Sequence, residues 1–144
     1  MGMDVGDIVV VEGARTAFGA YCGSLKDHSA VELGVVASQG ALQRAGVDSQ
    51  EVDQVVFGNV AQSCPDAAYL ARHIGLKAGC RIDSPSLTVN RLCGSGMQAV
   101  ISAAQQILLG EAQIVLAGGT ENMTQLPHII RGARTGLPMR HQQL

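Results

Sequence analysis

Short, unbroken apolar runs alternate along this chain with longer stretches of helical period, and that alternation constrains the fold more than any other feature. Ile8, Val9, Val10 and Val11 form the first run. A strand with one wet face alternates apolar and polar residues. A run without that alternation is expected to be buried on both faces. Residues 52–60, 86–90 and 114–117 repeat the signal. Between the runs, Ser29-Ala30-Val31-Glu32 has the spacing of a capping box, in which hydroxyl and carboxylate satisfy free N–H groups at a helix start. Val31, Val35, Ser38 and Leu42 then fall on one helical face, with Glu32, Gln39 and Gln43 on the wet one. Gly46 is placed to end that helix at positive φ. Asp66 is expected to cap a second helix running to about residue 76. Residues 97–109 form a third, in which only Gln98, Ser102 and Gln105 make a polar stripe, so it is expected to be the most buried. Alternating strands and helices with apolar strands predict an α/β fold with right-handed crossovers and helices on both faces of a mainly parallel sheet. From Gly118 the periodicity is lost, and Pro127, Gly132, Gly136 and Pro138 break up the tail. There is no internal repeat and no low-complexity linker.

The 144 residues suffice for one ordinary domain. With 47% hydrophobic residues, 15% charged and 18 glycines, the composition suits close helix–sheet packing around a buried sheet. A formal net charge of −2 without a basic stripe argues against a nucleic-acid partner. No apolar run is long enough for a transmembrane segment. The four cysteines, Cys22, Cys64, Cys80 and Cys93, form no Cys-x-x-Cys pair and have no histidine at zinc-finger spacing, so no metal site is expected. Free thiols in an intracellular, reducing compartment are expected instead of disulfides, with ordinary structural roles for the first three. The opening residues carry two acids and no base before Arg15, unlike a transit peptide or secretory signal. Gly6 occupies the position where a myristoylation start requires Ser or Thr, which leaves a plain start.

Cys93 carries the chemistry. It lies between the run at 86–90 and the helix at 97–109, so its thiol is expected at a strand-to-helix junction, where the first helical N–H groups lack partners. Those donors and the positive end of the helix dipole favour anionic sulfur. Gly94 and Gly96 would let a substrate carbonyl approach the backbone. Two readings stay open on these residues alone: a nucleophile that forms an acyl–sulfur intermediate, or an inert buried thiol packed as a small hydrophobe. Other loop motifs fail. Ser95 has Cys93 where a hydrolase elbow needs Gly, no Gly-Lys-Ser/Thr phosphate loop occurs, and no third Gly completes a dinucleotide fingerprint. His73 is expected to pack or cap on the second helix, and His28 and His141 to face solvent. His128 would reach a substrate only if the tail folded over the loop. Arg131, Arg134 and Arg140 could meet the phosphates of a ligand, but three arginines in a polar tail are expected to be solvated. No cofactor-binding residue is assigned.

Asn90-Arg91-Leu92-Cys93-Gly94-Ser95-Gly96 resembles the nucleophile motif of thiolases, which cleave or form 3-ketoacyl-CoA. Val11-Glu12-Gly13-Ala14-Arg15-Thr16-Ala17-Phe18-Gly19, Phe57-Gly58-Asn59-Val60, and Ala68-Tyr69-Leu70-Ala71-Arg72-His73-Ile74-Gly75-Leu76 resemble further family segments in the right order. So does Ala117-Gly118-Gly119-Thr120-Glu121-Asn122-Met123-Thr124, where Asn122 and Thr124 replace two serines. The resemblance runs from about residue 9 to 138 and is greatest to the 3-ketoacyl-CoA thiolases of fatty-acid β-oxidation. It implies a thiolase-like N-terminal βαβαβαβ half lacking its last strand over residues 1–118, and the start of a loop domain over 119–144. It also implies Cys93 as nucleophile, with its backbone N–H as an oxyanion donor, in an acetyl-CoA C-acyltransferase. CoA and acyl-CoA would be substrates, with no separate cofactor. A homo-oligomer, dimer or tetramer, would form by edge-strand pairing in the mitochondrial matrix or the cytoplasm. In the family a histidine in Gly-His-Pro activates the nucleophile, a cysteine in Cys-x-Gly handles the α-proton, and an asparagine in Asn-Glu-Ala positions a water. None of these motifs occurs here. The chain is therefore expected to be a nucleophile-bearing fragment with little or no turnover alone. Two alternatives stand beside it: a catalytically silent dimerising or binding fragment, and a ketosynthase-type condensing enzyme, which the Asn90–Gly96 motif disfavours.

Overall fold

The computed structural model of the protein describes residues 8–136. Helix α1 spans Ala30–Ala45, strand β1 Gln54–Gly58, helix α2 Leu70–Ala78, strand β2 Ser86–Val89, helix α3 Ser95–Leu108 and strand β3 Val115–Gly119. The capping box forms as the sequence requires. The Ser29 hydroxyl accepts from the Glu32 N–H at 3.1 Å, and the Glu32 carboxylate accepts from the Ser29 N–H at 2.8 Å. The Ser29 N–H and the Ser29 hydroxyl both donate to the Glu32 carboxylate and hold it below its usual range. At the other end Gly46 adopts φ 66° and closes α1.

The sheet has the order β2-β1-β3, all parallel, with Val55 opposite Ser86 and Leu116. As the central strand, β1 buries Val55, Val56 and Phe57 in succession. Val55 and Phe57 join Val31, Leu70, Ile74 and Leu116 in the main core on the α1 and α2 side. Their alternates Val56 and Gly58 face α3. Helices thus cover both faces of a parallel sheet. Asp53 fastens its start: its carboxylate accepts from the N–H groups of Gln113 and Ile114 at 2.8 and 3.0 Å, while its own N–H donates to the Ile114 carbonyl. The hydrogen bonds from Ile114 and Gln113, with a smaller contribution from Arg81, hold its carboxyl below the usual range.

The structure departs from expectation at three elements. Residues 8–11 pair with no strand among the described residues, and Val9, Val10 and Val11 are 67–84% exposed. An apolar run becomes a strand only beside a partner's backbone. Here a groove of about 490 Å³, lined also by Ala41, Val100 and Ile107, separates the segment from β3. Second, Asp66 caps nothing with its side chain, because its φ of −93° and ψ of 6° are not the extended geometry of a capping residue. A 3₁₀ turn at Ala67–Tyr69 intervenes, and α2 runs on to Ala78 before closing on Gly79 at φ 101°. Third, α3 is not the most buried helix. It buries Ser95, Ala99 and Ala103, against five residues of α2, and leaves Met97, Val100 and Ile101 exposed. One side of α3 lies on β1 and β3, and nothing among the described residues covers the other. Apolar content does not by itself ensure burial.

Asn122 and Thr124 gain a structural explanation. The buried Asn122 amide donates to the His28 carbonyl at 2.6 Å and reaches those of Leu25 and Lys26 at 3.3 Å. Thr124 accepts from the Cys22 N–H at 3.0 Å. Together they tie the loop before α1 to the chain beyond β3. Among the described residues no helix is long and apolar enough to cross a membrane.

Candidate active site

Cys93 lies between the C-terminal end of β2 and the first turn of α3, at the carboxyl edge of the sheet, and is exposed. Ligand sites of open α/β sheets gather at that edge. The junction is crowded beneath the cysteine. A Cβ on Gly58 would lie 2.4 Å from the Ser95 carbonyl carbon, and one on Gly119 would lie 3.2 Å from the Gly96 Cα. The ends of β1 and β3 therefore press backbone to backbone against the start of α3. Around Gly96 the opposite holds, since a Cβ there meets nothing within 4 Å. Access from solvent, the property a nucleophile needs, is present at Cys93.

The turn that presents the thiol is held by its neighbours. Leu92 adopts φ 50°, one of two non-glycine residues at positive φ among those described. That conformation costs an ordinary side chain roughly 1–2 kcal/mol. Three hydrogen bonds converge on it. The Leu92 N–H donates to Asn90 Oδ1 at 3.0 Å, and the Leu92 carbonyl accepts from the Ser95 hydroxyl at 2.6 Å and from the Ser95 N–H at 3.0 Å. The same hydroxyl, on a residue only 4% exposed, accepts from the Arg91 N–H at 2.8 Å. At about 1 kcal/mol net each, such bonds offset the strain at Leu92. The Cys93 N–H has no hydrogen-bond acceptor among the described residues.

A second network steadies the floor. The Glu121 carboxylate accepts from the N–H groups of Val60 and Ala61, both at 3.0 Å, and from the Asn59 amide at 2.8 Å. Asn59 also donates to the Thr120 carbonyl, and Asn90 reaches the Val60 carbonyl at 3.4 Å. Hydrogen bonds thus run from the end of β3, through the loop after β1, to the cysteine turn. Sequence reading missed Ser95, Asn59 and Glu121 as supports. Asn90 was findable, because an Asn two residues before a turn N–H is an Asx-turn signal.

The other candidate residues do not join this site. His73 is half-buried on α2 with its ring 6.4 Å from that of Tyr69. His28, Arg131 and Arg134 are exposed, as expected of solvated residues, and His128 is exposed as well. Arg140, His141 and the opening residues lie outside those described. Cys22 is exposed and Cys64 half-buried, while Cys80 is buried, which pushes its thiol up. The grooves beside 8–14 and 14–21 are lined without Cys93. Among the described residues no group of three or more His, Cys, Asp or Glu side chains is arranged to hold a metal.

Comparison with known proteins agrees in sequence and in fold. The thiolase N-terminal domain family matches residues 8–144. The human mitochondrial 3-ketoacyl-CoA thiolase is 49% identical over 129 residues, which are 90% of this chain and 32% of that protein. A beta-ketothiolase of Cupriavidus necator is 49% identical over 133 residues, 92% of this chain and 34% of its own. The crystal structure of the human mitochondrial enzyme in complex with CoA superposes with a TM-score of 0.88 at 47% identity, covering 92% of this chain and 34% of that one. The chain spans about a third of the length of these relatives. With its parallel sheet, its order of motifs and a family match over nearly its whole length, the chain belongs to the thiolase family, through the N-terminal domain.

Proposed function

We propose that Cys93 is the acyl-accepting nucleophile of a thiolase-type acetyl-CoA C-acyltransferase, which interconverts 3-ketoacyl-CoA plus CoA with acyl-CoA plus acetyl-CoA. The observation that carries this reading is an exposed thiol on a braced turn at the carboxyl edge of the sheet, inside the family's nucleophile motif. In the cleavage direction, the Cys93 thiolate attacks the keto carbon. The bond to the α-carbon breaks, its electron pair leaves on the acetyl-CoA fragment, and that carbon takes a proton. The thiol of a second CoA then attacks the Cys93 thioester, losing its proton as the acyl group moves to CoA and Cys93 returns as thiolate. The Cys93 N–H and the start of α3 stabilise the oxyanion locally. No cofactor beyond the CoA thioesters is needed.

The base and proton-donor motifs of the family are not in this sequence. General acid–base help is worth about 10²–10⁴-fold, so the chain alone is expected to acylate slowly and turn over little. The specific reading also includes a 3-ketoacyl-CoA substrate of β-oxidation, a homo-oligomer, and an intracellular setting, the mitochondrial matrix or the cytoplasm. The reading assigns residues 1–118 to a first domain that lacks its last strand and 119–144 to the start of a loop domain; among the described residues Thr120 and Asn122 bond back to the chain around α1. Because three family motifs are absent from the sequence, the competing reading is a non-catalytic fragment that dimerises or binds. Incubation of the folded chain with acetyl-CoA, followed by intact mass, decides between them. A gain of one acetyl group that disappears in Cys93→Ala supports the acyl acceptor. No adduct on a chain shown to be folded overturns it.

A further inference from the structure

We infer that Ser95 is a positioning residue: its hydroxyl spans the Arg91 N–H and the Leu92 carbonyl and thereby holds Leu92 at positive φ, so that Cys93 is turned out of the start of α3 toward the incoming acyl group. The inference rests on the reading of Cys93 as the acyl acceptor. Its geometric basis does not, because the bonds and the dihedral angle are properties of the turn.

Leu92 at φ 50° occupies a backbone region that leucine rarely adopts unless its surroundings enforce it. The enforcing groups come from both sides. Asn90 takes the Leu92 N–H, and Ser95 takes the Leu92 carbonyl through hydroxyl and N–H alike. Of these, the hydroxyl is the one side-chain group that is buried, on a residue seated against Gly58 at the floor of the junction. Without it, Leu92 can relax to negative φ, and the next residue in the chain, Cys93, swings with it. No side chain caps α3 at Gly94, and the Ser95 hydroxyl points back into the turn instead. A nucleophile displaced by about 1 Å loses on the order of a hundredfold in rate.

The test compares the wild type, Ser95→Ala, and the double variant Leu92→Gly/Ser95→Ala. The rates are of Cys93 acetylation by acetyl-CoA and of Cys93 alkylation by iodoacetamide, resolved by peptide mass. Cys22 is exposed and remote in sequence and serves as the internal reference, while the buried Cys80 must stay unlabelled if the fold is intact. Ser95→Ala is expected to slow Cys93 relative to Cys22 by roughly tenfold to a hundredfold. Leu92→Gly is expected to restore most of the loss, since glycine adopts positive φ without strain. A merely structural role would label Cys80 and would not be repaired at Leu92. An unchanged Cys93 rate in Ser95→Ala overturns the inference, as does a loss that glycine leaves unrepaired. If Ser95→Ala labels Cys80, the exposed Asn90→Ala, with and without Leu92→Gly, is read by the same criteria for the brace on Leu92. If the wild type takes no acetyl group, the acyl-acceptor reading fails by itself, and the alkylation rates still decide the role of Ser95.

Discussion

Asn122 and Asp53 each hold two distant segments together through a single polar side chain, and each makes a prediction at its own scale. The Asn122 amide satisfies carbonyls of the 25–28 loop that the family's usual serine is too short to reach in the same way. Asn122→Ser is expected to cost about 1–2 kcal/mol of stability, read from urea unfolding, and to speed proteolysis of that loop. An unchanged midpoint would show that water replaces the amide. Asp53 makes a prediction about pH. Its carboxyl is held below the usual range, chiefly by the N–H groups of Ile114 and Gln113. A depressed carboxylate contributes stability that is fully present above its unfolded pKa and is lost as pH falls through its folded one. The wild type should therefore lose stability below about pH 5 more steeply than Asp53→Asn, which lacks the titrating group. Parallel acid limbs for the two proteins would contradict this.

Among the elements, what the sequence disclosed was what local chemistry decides. The capping box at Ser29 and the glycine end at Gly46 need only neighbours within a few residues, and both formed as read. Cys93 at a strand-to-helix junction was equally local, since the period changes within seven residues of it. The failures were non-local. Residues 8–11 have strand composition but no adjacent backbone, α3 has an apolar surface that no described residue covers, and Asp66 has capping chemistry in the wrong dihedral. Leu92 gave no warning, because nothing in a leucine signals positive φ. The junction of α3 with the sheet was hidden for the same reason, and its glycines make it testable. Gly58→Ala drives a Cβ into the Ser95 backbone and is expected to cost roughly 1–3 kcal/mol while slowing Cys93 acetylation. Gly96→Ala meets open space, so its melting temperature should hold or rise slightly, as alanine favours a helix over glycine. If its acetylation falls nonetheless, the missing side chain at Gly96 serves substrate approach; an unchanged rate removes that role.

For the molecule as a whole, the main question is how the fold keeps so much apolar surface in water. On the α1 and α2 side the core holds Val52, Leu70 and Ile74, all fully buried. At the open edge of the sheet beside β3 the balance differs, since the groove there is lined from both faces. Val9, Val10 and Val11 stand exposed on one bank of the 490 Å³ groove, β3 forms the other, and Val100 and Ile107 of α3 and Ala41 of α1 line the space between. A groove of this volume with a mainly apolar lining is of the size that takes small apolar probes. The chain is therefore expected to enhance anilinonaphthalene sulfonate fluorescence in native buffer, while retaining a cooperative unfolding transition that a loosely packed state would lack. Ile107→Lys, which puts a charge into the groove from a residue outside the main core cluster, should reduce that fluorescence severalfold and leave the unfolding stability within about 1 kcal/mol. The Cys93 acetylation rate should be untouched, since the groove is lined without Cys93. If the dye signal is absent in the wild type, the 8–14 segment closes over β3 in solution and the two banks are in contact. A signal that persists undiminished in Ile107→Lys would move the exposed surface elsewhere, to the Phe18 and Tyr21 side of the molecule.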